Sequence, residues 1–224
     1  LEDVLGRKGR VLLIAPRKGH STFLYCADCG SSVDCPNCSV PLVYSMEGKK
    51  VLCGRCGFSA GTSIICSNCL GHRIKYAGSG TQKVETELKR LFPFAKTLRL
   101  DRDSVSKGQI GDIVLDNFSK GQAGVIIGTQ LAAKVVDLTD LDLIGVISAD
   151  AALNNTDFRS AEETFRMLSL LARPVPAGKA AKKVIVQTYK PDHYTLSFAG
   201  ANDLEGFYQK EIEQRRASGD PPFG

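Results

Sequence analysis

Residues 143–147, Leu143-Ile144-Gly145-Val146-Ile147, form an unbroken apolar run. A short run of this kind, without polar alternation, is the pattern of a strand buried on both faces, as in a parallel sheet. The same pattern occurs in Val125-Ile126-Ile127, Val11-Leu12-Leu13-Ile14-Ala15 is an apolar strand candidate, and Val184-Ile185-Val186-Gln187-Thr188 makes the last strand. Thr97-Leu98-Arg99-Leu100 is a further strand candidate, closing on Asp101-Arg102-Asp103. Stretches of helical period lie between these strands. Residues 83–91 set Val84, Leu88 and Leu91 on one face, residues 110–118 carry Ile113, Val114 and Phe118, and residues 160–171 form a third. Strands alternating with helices specify βαβ units, hence an α/β fold with a mostly parallel sheet and flanking helices. A polar helix is expected over 204–216.

The 224 residues suit one medium α/β domain or two small ones, and 43% hydrophobic with 24% charged residues is ordinary for a globular chain. No run of about eighteen apolar residues and no signal-peptide pattern occurs, so the expectation is neither membrane span nor export but a cytoplasmic protein. The chain starts at Leu1 and reads as a fragment of something longer. A net charge of +5 is compatible with a nucleic-acid partner without demanding one.

All eight cysteines fall in four Cys-x-x-Cys pairs: Cys26/Cys29, Cys35/Cys38, Cys53/Cys56 and Cys66/Cys69. Such a turn aims two thiolates at one cation about 2.3 Å away, and two turns complete a tetrahedron. Four disulfides would need an oxidising compartment, and nothing in the sequence points to export. Four pairs in so short a segment also exceed a lone redox motif. The spacing therefore predicts two structural zinc ions, since four thiolates per ion leave no position for water or substrate. Cys35/Cys38 and Cys53/Cys56 are fourteen residues apart. Between them Pro41-Leu42-Val43-Tyr44, Glu47-Gly48-Lys49-Lys50 and Val51-Leu52 read as a β-hairpin, the build of a zinc ribbon. The outer pairs would then share the second ion. Sequential pairing, first with second and third with fourth, is the alternative, made tight by the five residues between Cys29 and Cys35. His72 follows a full ligand set and reads as a loop residue.

These pairs, taken with the segments around them, resemble the PriA family of bacterial replication-restart helicases (primosomal protein N′). The likeness runs through Gly78-Ser79-Gly80-Thr81, Leu91-Phe92-Pro93, Arg99-Leu100-Asp101-Arg102-Asp103 and Ile127-Gly128-Thr129-Gln130. It continues in Asp157-Phe158-Arg159-Ser160-Ala161-Glu162, Val186-Gln187-Thr188-Tyr189, Pro191-Asp192-His193 and Pro221-Pro222-Phe223. The resemblance implies an α/β RecA-like helicase lobe carrying an inserted two-zinc ribbon module. It implies nested ligand sets, with Cys26, Cys29, Cys66 and Cys69 on the first zinc and Cys35, Cys38, Cys53 and Cys56 on the second. The implied division is 1–23 for the start of the second lobe, 24–71 for the zinc module, 72–190 for the rest of the lobe and 191–224 for the start of a C-terminal domain. The implied partners are forked or single-stranded DNA and primosome and replisome proteins, with no membrane. Arg17 and Lys18, in a loop after the first strand, and Lys134 are the candidate DNA contacts.

The catalytic pattern is incomplete. No Gly-x-x-x-x-Gly-Lys-Ser/Thr phosphate loop occurs, so the chain alone is expected not to turn over ATP, and no catalytic residue is assigned. The family's arginine-finger segment corresponds to Leu170-Leu171-Ala172-Arg173-Pro174-Val175-Pro176-Ala177, with Pro174 and Ala177 where the two arginines stand. Lys134 is followed by Val135 where the family has glycine. The expectation is DNA binding in replication restart without ATP hydrolysis, ATP being a ligand only for a longer parent. The alternative is the second lobe of an active 3′-to-5′ helicase. Asp101 and Asp103 read as a capped turn, and Asp150 as either a ligand-facing or a turn residue. Asp157, Arg159 and Glu162 read as a charge network orienting a helix.

Overall fold

Val11, Leu12, Leu13 and Ile14 are all buried, and strand β1 (Val11–Ile14) is the middle of a five-stranded sheet. The structure is a computed structural model and describes residues 1–15, 22–39, 41–45, 50–53, 56–77, 80–100, 116, 118, 124–153, 157–175 and 182–223. It divides into two units, one of Leu1–Gly19, Ser79–Ile147 and Leu170–Gln187, the other of His20–Gly78, Ser148–Ser169 and Thr188–Gly224.

The strands in chain order are β1, β2 (Thr22–Cys26), β3 (Val43–Ser45), β4 (Lys50–Leu52), β5 (Ser59–Ala60), β6 (Ile74–Ala77), β7 (Thr97–Leu100), β8 (Val125–Gly128), β9 (Leu143–Val146) and β10 (Lys183–Val186). The first unit holds the sheet β10-β9-β1-β8-β7, with every neighbouring pair parallel. Val11 stands opposite Val125 on one side and Leu143 on the other. β1 and β8 are buried at every position, which explains why their sequences do not alternate. The edge strand β10 is half exposed, with Ile185 in solvent. Each fully buried aliphatic side chain here contributes about 1.5–3 kcal/mol relative to exposure.

Among the helices of this unit, α1 (Glu2–Gly6) is one short turn that buries Val4 and Leu5. Helix α2 (Thr81–Leu91) packs Val84 and Leu88 against β7 and β8. Leu91, expected on that face, is exposed: the helix ends there, and Phe92 turns into the core instead. Helix α3 (Ala132–Val135) and a 3₁₀ turn over Leu138–Asp140 follow β8. Gly128 has no room for a side chain, since a Cβ would lie 2.8 Å from the Leu100 carbonyl oxygen. The helix expected over 110–118 falls mostly outside the described residues, as do Asp101 and Asp103.

The second unit holds an antiparallel sheet in the order β5-β4-β3-β2-β6. The expected hairpin is β3–β4, with Tyr44 opposite Val51. Its small core is Leu24, Val33, Leu42 and Val51 together with Cys35 and Cys53. This unit also contains α4 (Asp150–Leu153), α5 (Ser160–Ala172) as far as Ser169, α6 (Tyr194–Ala201) and α7 (Leu204–Ser218). The Phe165 ring stacks on Phe207 at 3.9 Å, joining α5 to α7. Arg215 donates to Glu211 Oε1 at 2.8 Å and to Glu162 Oε2 at 2.9 Å, while the Tyr194 hydroxyl donates to Glu211 Oε2 at 2.7 Å.

Of the expected charge network, Glu162 belongs to this cluster and also pairs with Arg166. Asp157 instead accepts the Arg159 backbone N–H, and the Arg159 guanidinium lies over the Phe158 ring. Asp150, expected either to face a ligand or to sit in a turn, is the buried first residue of α4 and accepts from the Thr188 hydroxyl and the Tyr189 N–H.

Candidate metal centre

The four cysteine turns are closed by the same hydrogen bond. The N–H four residues after the first cysteine donates back to that cysteine's carbonyl: Gly30 to Cys26 at 2.9 Å, Ser39 to Cys35 at 2.9 Å, Gly57 to Cys53 at 3.2 Å and Leu70 to Cys66 at 2.9 Å. The donor is left-handed in every case, with φ of 78° at Gly30, 56° at Ser39, 72° at Gly57 and 57° at Leu70. Three of the first cysteines also donate their own N–H, Cys26 to Ser31, Cys53 to Phe58 and Cys66 to Gly71. The first cysteine of each pair is buried, whereas Cys29, Cys56 and Cys69 are exposed and Cys38 is half-buried.

Two strand pairings decide which turns meet. The β2–β6 ladder sets Cys26 opposite Ile74, and the Ala27 N–H donates to the Arg73 carbonyl, drawing the first and last turns together. The β3–β4 hairpin does the same for the middle two. The resulting clusters are Cys26, Cys29, Cys66 and Cys69, and Cys35, Cys38, Cys53 and Cys56, with all sulfurs of a cluster within 4.8 Å of one another. Across the turns the sulfurs are 3.5 Å apart for Cys26 and Cys69, 3.7 Å for Cys29 and Cys66, 3.5 Å for Cys35 and Cys56 and 3.4 Å for Cys38 and Cys53. A tetrahedron with metal–sulfur bonds of about 2.3 Å has edges of about 3.8 Å. A disulfide needs about 2.05 Å, and all eight thiols are free. Each cluster can therefore hold one metal ion, and the arrangement is nested, not sequential.

The thiols differ in acidity. Hydrogen bonds from the Ser31 hydroxyl and N–H bring Cys29 down to about 6. The Phe58 N–H brings Cys56 down to about 7. Burial raises Cys35. At Cys69 the Gly71 N–H favours the thiolate but is outweighed by the neighbouring thiol of Cys29, by desolvation and by Cys26 and Cys66, which leave it at about 12. Each cluster thus presents one acidic, exposed sulfur where a cation can first attach, and the remaining protons leave as the shell closes.

His72 is exposed in the loop before β6. Lys134 is exposed in the last turn of α3, next to the exposed Val135. Arg17, Lys18 and Ala177 lie outside the described residues. Arg173 and Pro174 are exposed just beyond α5. Ser31, Asn37 and Asn68, which surround the sulfurs, were not singled out by the sequence reading. Their only trace in the sequence is the Cys-x-Asn-Cys form of the second and fourth pairs.

No protein-family model matches the chain. Among curated proteins it is similar to the replication restart protein PriA of Bacillus subtilis, with 35% identity over 223 residues, covering 100% of this chain and 28% of that protein. The PriA of Synechocystis sp. is 35% identical over 228 residues, covering 100% of this chain and 27% of the relative. That of Thermotoga maritima is 32% identical over 223 residues, covering 100% and 30%. The chain thus spans less than a third of the length of these relatives. With identities of 31–35% along its whole length to proteins that all carry this name, the chain is a PriA-like C-terminal region.

Proposed function

We propose that this segment is a RecA-like lobe with an inserted metal module, residues 24–71, that binds two structural zinc ions and helps a replication-restart protein hold DNA. The observation that carries the reading is the pair of four-sulfur clusters within a chain similar to PriA along its whole length. Zinc suits an all-thiolate tetrahedron, and a closed ligand set assigns the ions a structural role. Leu24, Val33, Leu42 and Val51 are too small a core to hold the antiparallel sheet alone, so metal binding supplies its folding energy.

DNA, forked or single-stranded, is the proposed ligand, supported by the net charge of +5. Arg17, Lys18 and Lys134 are its proposed phosphate contacts, and primosome and replisome proteins are the proposed partners. The proposed setting is the cytoplasm; no helix among the described residues is long and apolar enough to cross a membrane. ATP hydrolysis has no place in the chain by itself, because its sequence lacks a phosphate loop and Arg173 is followed by Pro174. A second reading, the completing lobe of an active 3′-to-5′ helicase, is favoured by Gly128-Thr129-Gln130, which stands at the C-terminal end of β8 where such sheets bind ligands.

Elemental analysis of the purified chain is expected to give two zinc ions per molecule; a folded, metal-free protein overturns the zinc reading. DNA affinity is expected to fall steeply with added salt, and a salt-independent affinity overturns the phosphate contacts. DNA-stimulated ATP hydrolysis by the full-length parent would establish the second reading.

A further inference from the structure

The likeness of the two clusters extends past their sulfurs. Each combines one turn of the form Cys-x-Asn-Cys with one that lacks the asparagine. In the inner cluster Cys35-Pro36-Asn37-Cys38 meets Cys53-Gly54-Arg55-Cys56. In the outer, Cys66-Ser67-Asn68-Cys69 meets Cys26-Ala27-Asp28-Cys29. In both clusters the asparagine side chain reaches across to the second cysteine of the opposite turn. Asn68 Nδ2 lies 3.7 Å from Cys29 Sγ, and Asn37 Nδ2 lies 4.0 Å from Cys56 Sγ. Asn68 Nδ2 also donates to Ser31 Oγ at 2.9 Å, which fixes its direction.

The recipients are exposed sulfurs in both cases. The buried ones are served differently: Cys26 and Cys35 accept backbone N–H groups from Asp28 and Asn37, each at 3.4 Å. A divalent ion with four thiolates has a net charge of −2, carried on sulfur. Donors aimed at sulfur stabilise that charge, and such outer contacts affect metal affinity by about 10–100-fold. An exposed thiolate is the one that acid and competing ligands reach first, so a donor placed over it acts on the weakest point of the shell.

The turn itself does not require asparagine, since Asp28 holds the same position in the first turn. Nor does burial, since Asn37 and Asn68 are both exposed. We infer that Asn37 and Asn68 are positioning residues for the two metal ions, amide clasps that cover the solvent-facing thiolate of the opposite turn and slow the departure of each ion. The inference rests on the two-ion reading above.

The test is metal release from the whole chain loaded with cadmium-113, whose two tetrathiolate resonances are followed after addition of excess EDTA. Cys29→Ser, which changes one outer ligand, assigns the outer resonance. Asn68→Ala is expected to speed loss of the outer ion about tenfold and leave the inner rate unchanged, and Asn37→Ala to do the converse. Asn68→Asp and Asn37→Asp keep a turn-forming side chain but replace the donor with a carboxylate, and are expected to release at least as fast as the alanine variants. Aspartate variants that retain their ions like the wild type would overturn the clasp, as would variants that speed both sites equally. A wild-type chain that fails to load two cadmium ions would overturn the two-ion reading and the clasp with it. That result is distinct from one in which the wild type loads and every variant releases at its rate, which removes the clasp alone.

Discussion

Leu70 and Gly57 occupy the same place in two cysteine turns, each donating its N–H to the carbonyl of the first cysteine, with φ of 57° and 72°. For glycine this left-handed conformation carries no steric penalty, whereas for leucine it costs about 1–2 kcal/mol. Leu70 is 73% exposed and recovers little of that by burial. Leu70→Gly is expected to stabilise the metal-loaded chain by about 0.5–1 kcal/mol, after subtracting glycine's larger unfolded-state entropy. The denaturant midpoint should rise with no change in slope.

Cys35 is 2% exposed and lies in the core of the antiparallel sheet as well as in the inner cluster. Cys35→Ser is expected to halve the bound metal and to expose residues 34–58 to limited proteolysis. The parallel sheet, which draws on its own core of Val11, Leu13, Val125 and Ile127, should stay resistant.

The acidities of Cys56 and Cys29, about 7 and about 6, set where the acid sensitivity of each cluster steepens. Both lie below the ordinary thiol value, so each sulfur is a thiolate above its own value and takes up a proton as pH falls through it. That proton is one more the ion must displace. The affinity of the inner cluster is therefore expected to fall more steeply below about pH 7 and that of the outer below about pH 6. A chelator competition followed from pH 8 to 5 should show the pH dependence of affinity steepen near each of these values, first for the inner ion and then for the outer.

Arg215 lies between two carboxylates, with Glu211 almost fully buried. Arg215→Ala would leave Glu211 with the Tyr194 hydroxyl and Glu162 with Arg166. A loss of about 3 kcal/mol is expected, because an uncompensated buried charge costs more than the pair contributes. Thermal unfolding at neutral pH would measure it.

The legible parts of the sequence were those whose residues all face one environment. β1, β8 and β9 are apolar throughout because they are the inner strands of the sheet, buried at all or nearly all positions, so their runs could be read directly. Helix α6 could not. Tyr194-Thr195-Leu196-Ser197-Phe198-Ala199-Gly200-Ala201 has no apolar stripe, and its N-cap is His193, whose Nδ1 accepts the Thr195 N–H in place of a Ser or Asp oxygen. The cysteine spacing gave the number of clusters but left their pairing open, because the choice lies in the β2–β6 ladder between segments far apart in the chain. The asparagine contacts were invisible for the same reason: they cross between turns that only the folded sheet brings together.

The nesting of the two clusters also sets an order of assembly. The inner cluster closes a chain segment between Cys38 and Cys53, 15 positions apart, and the outer one between Cys29 and Cys66, 37 apart. Closing the longer segment from a disordered chain costs about 0.8 kcal/mol more. Once the inner ion has tied the hairpin, most of the outer segment is already fixed and that difference disappears. A chain emerging unmetallated would thus take its first ion inside and its second around it, and a missing inner ion would slow the closing of the outer cluster without preventing it, while a missing outer ion would leave the hairpin intact.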